Sequence, residues 1–433
     1  MRKKAMMLLF IYFIPLFLTG CFDGNEIGSF AYVTILGIEQ GVTDRFRLTF
    51  QIPKSNQGGG GNSGTGGGGE SGGDGSEGNK QGDKETITVE APSFFSAVAI
   101  VNTSISKELN FMHLEAIVIS EKMAENGIIG ELVIPYTRYR QIRRTTDIVI
   151  CKGKAEDFVK EIKPYPGEIV TQSLEELMKR SADLGLYPSS NLNDAYDGLK
   201  SNYHSFLAAY AASNKGESLP GEGTAYEGEY KIPGDYYAGD APRTDGLEIE
   251  FLGSVVFDGD RMVGKLTGFE TQMVMLVRDE LENMPFTISD PLMPELSIPI
   301  EIKEFDRNEI RVDVKGDKPK IDLKIGLEGD VTIIQSGINY EKPEMKRIVE
   351  NALEKFLEDG IKRTFAKCKA LKTDVFIFGA SAAKNFLTIP EWEEYNWLGK
   401  FPESDLTVKV DFTARRTGKM LKSMPVISSE GKK

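Results

Sequence analysis

The sequence predicts a mixed α/β protein of several domains, with mixed sheets flanked by helices. Two long segments, 21–163 and 246–420, each alternate strand-like runs of apolar and polar residues with stretches whose apolar residues recur at helical spacing. A chain of 433 residues with 40% apolar and 27% charged residues can also bury two or three hydrophobic cores. We therefore expect three domains, with the remaining segment between these two as the third.

Residues 1–20 have the organisation of an export signal peptide. Positive charges at 2–4 precede an apolar run over 5–18, and small residues then lead to Cys21. The run is shorter than the roughly 20 residues that a membrane-spanning helix needs. The motif Leu18-Thr19-Gly20-Cys21 resembles the bacterial lipoprotein signal, which implies cleavage before the cysteine and a lipid on it. A lone buried cysteine behind an ordinary signal peptide is the alternative.

Residues 21–163 are predicted to form an N-terminal α/β domain. Two alternating runs within 30–52 predict a hairpin, so folded structure begins a few residues after the cysteine. The glycine-rich segment 56–82 is expected to be a disordered insertion, because it contains almost nothing that could join a core. From residue 86 onwards, strands and helices alternate, which makes the helices crossovers of a mixed sheet.

The middle segment, 164–245, is predicted to be a small and mainly helical domain. Apolar residues recur at helical spacing between 169 and 178, and a second helix is expected over 191–210. A stretch rich in glycine, proline and tyrosine follows and has no clear period. The segment therefore contributes helices rather than strands in this prediction.

The C-terminal domain, 246–420, begins with a predicted hairpin that turns at Asp258-Gly259. Thr267 and Glu270 then form the capping box of a helix. Alternation over 297–334, interrupted by short polar turns, predicts three antiparallel strands in a meander. The domain is thus expected to contain a second sheet.

The longest helix is predicted from Pro343 to Cys368. Its apolar stripe is wide, which favours packing on a sheet over pairing in a coiled coil. A last strand is expected at 406–412, and residues 421–433 form a basic tail. The last two elements predicted for the C-terminal domain are therefore this long helix and the strand at 406–412.

The charge of the chain restricts its partners. The formal net charge is −13, and removing the three positive charges at 2–4 leaves −16 for the chain from residue 21. Nucleic acid is therefore not an expected partner, because phosphate binding needs clustered positive charge. The same total argues against electrostatic attachment to anionic lipid, so the lipid on Cys21 is expected to hold the protein at the membrane.

The residues that usually carry catalysis are sparse. The histidines are His113 and His204, the latter expected in a helix, and neither lies beside a nucleophile motif. Cys151 and Cys368 are far apart in sequence, and free thiols in the core are favoured over a disulfide between them. No metal site or cofactor is predicted, and a non-enzymatic role is favoured. A hydrolase with a pair of carboxylates stays open, since no motif singles out such a pair.

Four motifs follow one another along the chain: Gly20-Cys21-Phe22-Asp23-x-x-Glu26-Ile27, Glu108 to Ile119, Gly253 to Thr271, and Asp374 to Gly379 with Pro390-x-Trp392. Together they resemble the Ger(x)C family of spore germination lipoproteins, over nearly the whole chain from Cys21. Two departures are Phe22, where tryptophan is usual, and the glycine-rich insertion. The resemblance implies three α/β domains and no catalytic residue.

The resemblance also implies a function and partners. The expected protein is the C-type subunit of a nutrient germinant receptor, anchored by its lipid at the outer face of the cell membrane or spore inner membrane. Its expected partners are integral membrane A- and B-type receptor subunits, while contact with the small-molecule nutrient is left open and no ligand-binding residue is assigned. The alternative is a lipid-anchored solute-binding protein that delivers a small ligand to a transporter.

Overall fold

A computed structural model describes residues 27–53, 84–163, 170–214, 231–244, 246, 249–316, 318–416, 427–428 and 431–432. The predicted signal peptide, Cys21 and the glycine-rich segment lie outside these residues, as does most of the basic tail. The described ranges contain two large sheets, one of eight strands and one of five.

The eight-stranded sheet, here called the first sheet, is built by the first 266 residues. Its elements and their neighbours are β1 (Phe30–Tyr32), β2 (Ile35–Gln40), β3 (Phe46–Pro53), β4 (Lys84–Ala91), α1 (Phe94–Asn102), β5 (Glu108–Asn110), β6 (Ala116–Ser120), α2 (Glu121–Glu125), α3 (Ile129–Tyr136), β7 (Asp147–Cys151), α4 (Ala155–Glu161), α5 (Val170–Lys179), α6 (Ser181–Leu184), α7 (Leu192–Lys200), β8 (Leu207–Ser213), β9 (Ile249–Asp258) and β10 (Arg261–Leu266). The strand order is β10-β9-β8-β7-β6-β2-β3-β4. β1 and β5 pair in a separate small sheet.

The centre of the first sheet is parallel and covered on both faces. β2, β6, β7 and β8 run parallel, while the outer strands on each side pair antiparallel. Helices α1, α2, α3 and α7 bury one face, and α4 and α5 bury the other. The predicted crossover arrangement is therefore confirmed, and the central strands are apolar at nearly every position because water reaches neither face.

The predicted helix over 191–210 is wrong in its second half. α7 ends at Lys200, and residues from Leu207 form β8, which pairs with β7 and β9. The alanines of β8 favour a helix in isolation, but burial of both faces in the sheet outweighs that weak preference. As a consequence His204 lies in the loop between α7 and β8 and not in a helix.

The predicted domain boundaries do not divide the first sheet. Its strands come from all three predicted segments, 21–163, 164–245 and 246–420, because β8 and the hairpin of β9 and β10 extend it at one side. A separate helical middle domain is therefore absent from the described residues. The helices α5 to α7 instead belong to the layers that cover this sheet.

The five-stranded sheet, here called the second sheet, lies in the C-terminal part. Its elements are α8 (Gly268–Val277), β11 (Met284–Ser289), β12 (Ser297–Phe305), β13 (Glu309–Asp313), β14 (Lys320–Val331), α9 (Pro343–Ala370), α10 (Phe378–Ala382), α11 (Ile389–Tyr395), α12 (Trp397–Lys400) and β15 (Asp405–Arg416), with β16 (Ile427–Ser428) and β17 (Gly431–Lys432) paired apart from it. The hairpin at Asp258-Gly259, the capping box of Thr267 and Glu270, and the long helix from Pro343 are confirmed.

The three predicted antiparallel strands exist, but they do not form a meander. β14 is 12 residues long and pairs with β13 along its first part and with β12 along its last part. β15 runs parallel to β14 on its other side, and β11 extends the sheet beyond β12. The length of β14 is the reason, since one long strand offers pairing sites to two short neighbours.

Candidate functional site

The predicted lipidation site precedes the described structure. Leu18, Thr19, Gly20 and Cys21 lie outside the described residues, which begin at Ile27. Six residues lead from Cys21 to Ile27, and a fully extended chain of that length spans about 20 Å. A group attached to the cysteine would therefore stay close to the start of β1.

The other residues singled out in the sequence are dispersed. The ring of His113 packs edge-on against Tyr32, with centroids 4.8 Å apart. Cys151 and Cys368 are buried in different hydrophobic clusters and are free, so the preference for free thiols is confirmed. Burial raises the pKa of both thiols above the usual range, which keeps them protonated and unreactive.

The two halves of the molecule meet where the loop 201–206 contacts the segment 374–379, a region here called the junction. At its centre Asp374 is fully buried, and its Oδ2 accepts hydrogen bonds from the N–H of Gly379 at 2.8 Å and from Nε1 of Trp397 at 2.9 Å. Burial raises the pKa of this carboxyl to about 6, although its N–H donors act in the opposite direction. Asp374 thus ties the start of α10 to α12.

The backbone of the junction is strained at one residue. Ile377 has φ of 64°, a left-handed conformation that a β-branched side chain rarely adopts and that costs about 1–2 kcal/mol. The conformation begins a turn in which the N–H groups of Phe378 and Gly379 both point at Asp374. A Cβ at position 379 would clash with the carbonyl oxygen of Tyr203, so only glycine fits there.

A cavity of about 260 Å³ lies beside the junction and is lined mostly by polar side chains. Among them Arg278 is nearly buried, with 11% of its side chain exposed. Its Nε donates to the carbonyl oxygen of Val375 at 2.6 Å, and its Nη1 lies 3.4 Å from Glu280. A guanidinium held in this way could bind a small molecule that carries a carboxylate or phosphate group.

His204 lies in the same cavity but is not arranged for catalysis. Its Nδ1 is hydrogen-bonded to Oγ of Ser201 at 2.8 Å, and this Oγ also accepts the N–H groups of Tyr203 and His204, both at 3.1 Å. Nε2 is 3.9 Å from Oδ2 of Asp197, too far for a hydrogen bond. Burial, and next the charge of Arg278, lower the pKa of His204 to about 4. The serine therefore caps a turn and is not poised as a nucleophile.

A second cavity, of about 380 Å³, lies at the C-terminal ends of strands β2, β6 and β7. Beside it Arg47 donates to Glu90 at 2.7 Å and 2.9 Å and lies 3.5 Å from Glu39 and Glu156. Glu90 also accepts N–H groups from the turn after β2, and these hydrogen bonds, led by that of the Thr43 hydroxyl, hold its pKa well below the usual range. Arg47 and the three glutamates thus form a network of ion pairs at this end of the sheet.

Within the described ranges, no group of three or more histidine, cysteine, aspartate or glutamate side chains is placed to hold a metal ion. In the same residues, none of the helices combines the length and the apolar character that crossing a bilayer requires.

The sequence motif from Gly253 to Thr271 coincides with the connection between the sheets. Gly253 has φ of 84°, and a Cβ there would clash with the carbonyl oxygen of Leu266. The capping box follows, and Glu270 also accepts a hydrogen bond from Nζ of Lys367 at 2.6 Å, which links α8 to α9. Arg278, just after α8, is not among the residues that the sequence pattern identifies, since a single arginine gives no local signal of its burial.

Two family models match successive parts of the chain. The model described as "Spore germination protein N-terminal domain" matches residues 23–212, and that described as "Spore germination B3/GerAC like, C-terminal" matches residues 252–418. The chain belongs to the Ger(x)C family of spore germination proteins, as the sequence motifs predict.

Among the curated relatives, the spore germination protein KC of Bacillus subtilis (strain 168) is 24% identical over 443 residues, which cover 98% of each chain. The spore germination protein B3 of the same organism is 22% identical, over 95% of this chain and 97% of that protein. The crystal structure of the GerBC protein superimposes with a TM-score of 0.50 and 18% identity, covering 88% of this chain and 96% of that one. The predicted mixed α/β fold is therefore confirmed.

Proposed function

We propose that this chain is a lipid-anchored, non-catalytic subunit of a spore nutrient germinant receptor, of the C type. It is required for nutrient-triggered germination through association with the integral membrane A- and B-type subunits. Its place is the outer face of the cell membrane or spore inner membrane. The observation that carries the proposal is the match of this chain to both family models, together with its similarity to a spore germination protein over 98% of both chains.

Further support comes from the first residues and from the fold. The lipoprotein-like motif ends at Cys21, six residues before the described structure. The buried groups of the described residues act as structural ties: Asp374 holds a turn, and His204 is neutral and hydrogen-bonded within a capped loop. Such groups suit a scaffold that other subunits bind, and they offer no activated nucleophile.

The test is Cys21→Ala in sporulating cells, with the protein followed in membrane and soluble fractions and spore germination measured with each nutrient. We expect release from the membrane fraction and a severe loss of germination, because without a lipid the acidic chain loses its main attachment. Cys151→Ala is the matched control, since it removes a buried thiol and leaves the anchor intact. If the Cys21→Ala protein keeps both membrane retention and germination, the proposed anchor is wrong.

A second function, a lipid-anchored solute-binding protein for a transporter, is favoured by one observation. The cavity beside the junction is polar and contains the nearly buried Arg278, a natural partner for an anionic group of a small ligand. Calorimetric titration of the protein with amino acids and sugars separates the two functions. Tight binding that is abolished by Arg278→Gln would favour the solute-binding function, whereas the receptor proposal requires no such binding.

A further inference from the structure

Four arginines lie within the segment 138–144, here called the arginine loop, which joins α3 to β7. The four are Arg138, Arg140, Arg143 and Arg144, and all are exposed. The segment contains no acidic residue. Arg143 forms an ion pair with Glu115 at 2.8 Å. The other three have no ion pair within the described part of the chain. The loop is thus a local positive patch on a chain whose total charge is −13.

Large apolar side chains are exposed beside the arginine loop. Phe95 of α1 is 60% exposed, and its ring packs against that of Tyr139 with centroids 5.1 Å apart. Met112 is 59% exposed, and the N–H of its neighbour Phe111 donates to Oε1 of Gln141 at 3.1 Å. Helix α1 contains no charged residue. Two large apolar side chains thus flank the arginine loop and are accessible to an apolar partner.

The arginine loop lies at the edge of the first sheet where the parallel strands β2, β6 and β7 begin, here called the amino edge. The N–H of Glu115 donates to the carbonyl oxygen of Thr34 at 2.9 Å, and that of Asp147 donates to Glu115 at 2.8 Å, so the three strands start side by side. The loop ends directly before β7. The chain also reaches the first sheet at this edge, coming from Ile27 through β1.

This position fixes what the surface can meet. If Cys21 carries a lipid, as the proposed function holds, the residues between it and Ile27 span at most about 20 Å. The amino edge can then reach the bilayer surface. Arginines attract anionic phosphates and can bind them with two parallel hydrogen bonds, while aromatic and apolar side chains enter the boundary between headgroups and acyl chains.

We propose that the arginine loop, together with Phe95 and Met112, binds the anionic headgroups of the membrane surface. The total charge of the chain argues against such an attraction, but charges act over about 10 Å at 0.1 M salt, so the local patch decides the sign. The surface therefore orients the first sheet with its amino edge on the bilayer.

The test uses the chain from Phe22 to Lys433, which keeps every described residue and lacks Cys21. Its flotation is measured with vesicles of 30% phosphatidylglycerol in phosphatidylcholine, and with phosphatidylcholine alone. We expect binding to the anionic vesicles only, with a large loss at 0.5 M NaCl because salt screens the attraction. Circular dichroism checks that every variant is folded.

Variants locate the surface. Arg138→Gln with Arg140→Gln should weaken partitioning about 25-fold, since each arginine near an anionic surface contributes about five-fold. Phe95→Ser should weaken it about five-fold through the lost apolar contact. Arg311→Gln with Lys409→Gln is the matched control: it removes two positive charges from the second sheet, where these side chains are 78% and 61% exposed, and should change nothing.

Equal binding to both kinds of vesicle, or an equal loss in the control pair, would overturn the proposal. Because the tested chain lacks Cys21, its result is independent of lipidation. Failure here with loss of membrane retention in Cys21→Ala cells would refute the headgroup surface and leave the anchor. Vesicle binding here, together with Cys21→Ala protein that stays in the membrane fraction after a wash with 0.5 M NaCl, would refute the anchor alone.

Discussion

The two sheets of the molecule bury their strands in different ways. In the first sheet, β6 is buried at every position and β8 at all but its last, because helices cover both faces. In the second sheet, β14 and β15 alternate between buried and exposed residues, because only one face packs on the core. Two-faced burial removes the alternation that identifies a strand in a sequence, and one-faced burial preserves it.

A helix closes one edge of the second sheet. Among the described strands, β15 pairs with β14 alone, so the N–H groups on its other side have no strand partner. Helix α9 lies along that side, and three of its glutamates accept hydrogen bonds from alternate residues of the strand. The pairs are Glu350 with Ala414 at 3.0 Å, Glu354 with Phe412 at 3.1 Å and Glu358 with Val410 at 3.2 Å. Carboxylates thus satisfy the edge where another strand would otherwise pair.

The largest expected effect comes from removing this closure. Replacing Glu350, Glu354 and Glu358 together by alanine should lower the free energy of unfolding by about 4 kcal/mol, because three N–H groups lose charged partners. We also expect faster hydrogen exchange in β15 and aggregation through the freed edge. Unfolding in urea and amide exchange measure both.

The matched control for that triple variant is Glu344→Ala with Asp359→Ala. Both side chains are exposed on the same helix and accept no hydrogen bond from β15. The control pair should change the free energy of unfolding by less than about 0.5 kcal/mol. An equal loss in both variants would mean that the charge of α9, and not the hydrogen bonds to the strand, matters.

The contrast between the sheets explains how much of the fold could be predicted. The hairpin at Asp258-Gly259, the capping box and the long helix were predictable because each has a local signal. β8 resembles the end of a helix in the sequence, since the alanines of Leu207–Ser213 give no alternation. The pairing of β12 with β14 could not be predicted because pairing depends on strand lengths and distant neighbours, which no local pattern contains.

A second set of variants sharpens the comparison of burial. The side chains of Ala208 and Ala209 point to opposite faces of β8, and both faces are buried. Ala208→Gln and Ala209→Gln should therefore each lower the free energy of unfolding by about 3 kcal/mol. In β14, Leu323→Gln at a buried position should lower the free energy of unfolding by a similar amount, whereas Lys324→Gln at an exposed position should lower it by less than about 0.5 kcal/mol. Denaturant unfolding measures all four. A tolerated substitution on one face of β8 would show that the first sheet is covered on only one side.

The candidate sites divide in the same way between local and distant signals. The anchor motif ending at Cys21 and the four arginines of 138–144 are both visible in the sequence, although the acidic total charge masks the arginine loop. Its position beside Phe95, at the edge where the chain begins, required the fold. The partners of Asp374 and Arg278 come from distant segments, so no spacing along the chain reveals them.

The smallest expected effect tests how the junction joins the two sheets. The pKa of His204 is about 4 in the folded protein and 6.5 in an ordinary setting, so the unfolded chain takes up a proton first. The stability that neutral His204 contributes is complete above pH 6.5 and is lost as the pH falls towards 4. His204→Gln removes this titration. When the pH falls from 7 to 4.5, we expect the free energy of unfolding of the wild type to decrease by about 2 kcal/mol more than that of the variant. Burial of Asp374 has the opposite sign, since its raised pKa favours the folded state as the pH falls, and it is common to both proteins. The difference between the two urea-unfolding profiles therefore isolates the histidine, and identical profiles would show that the junction admits water to His204.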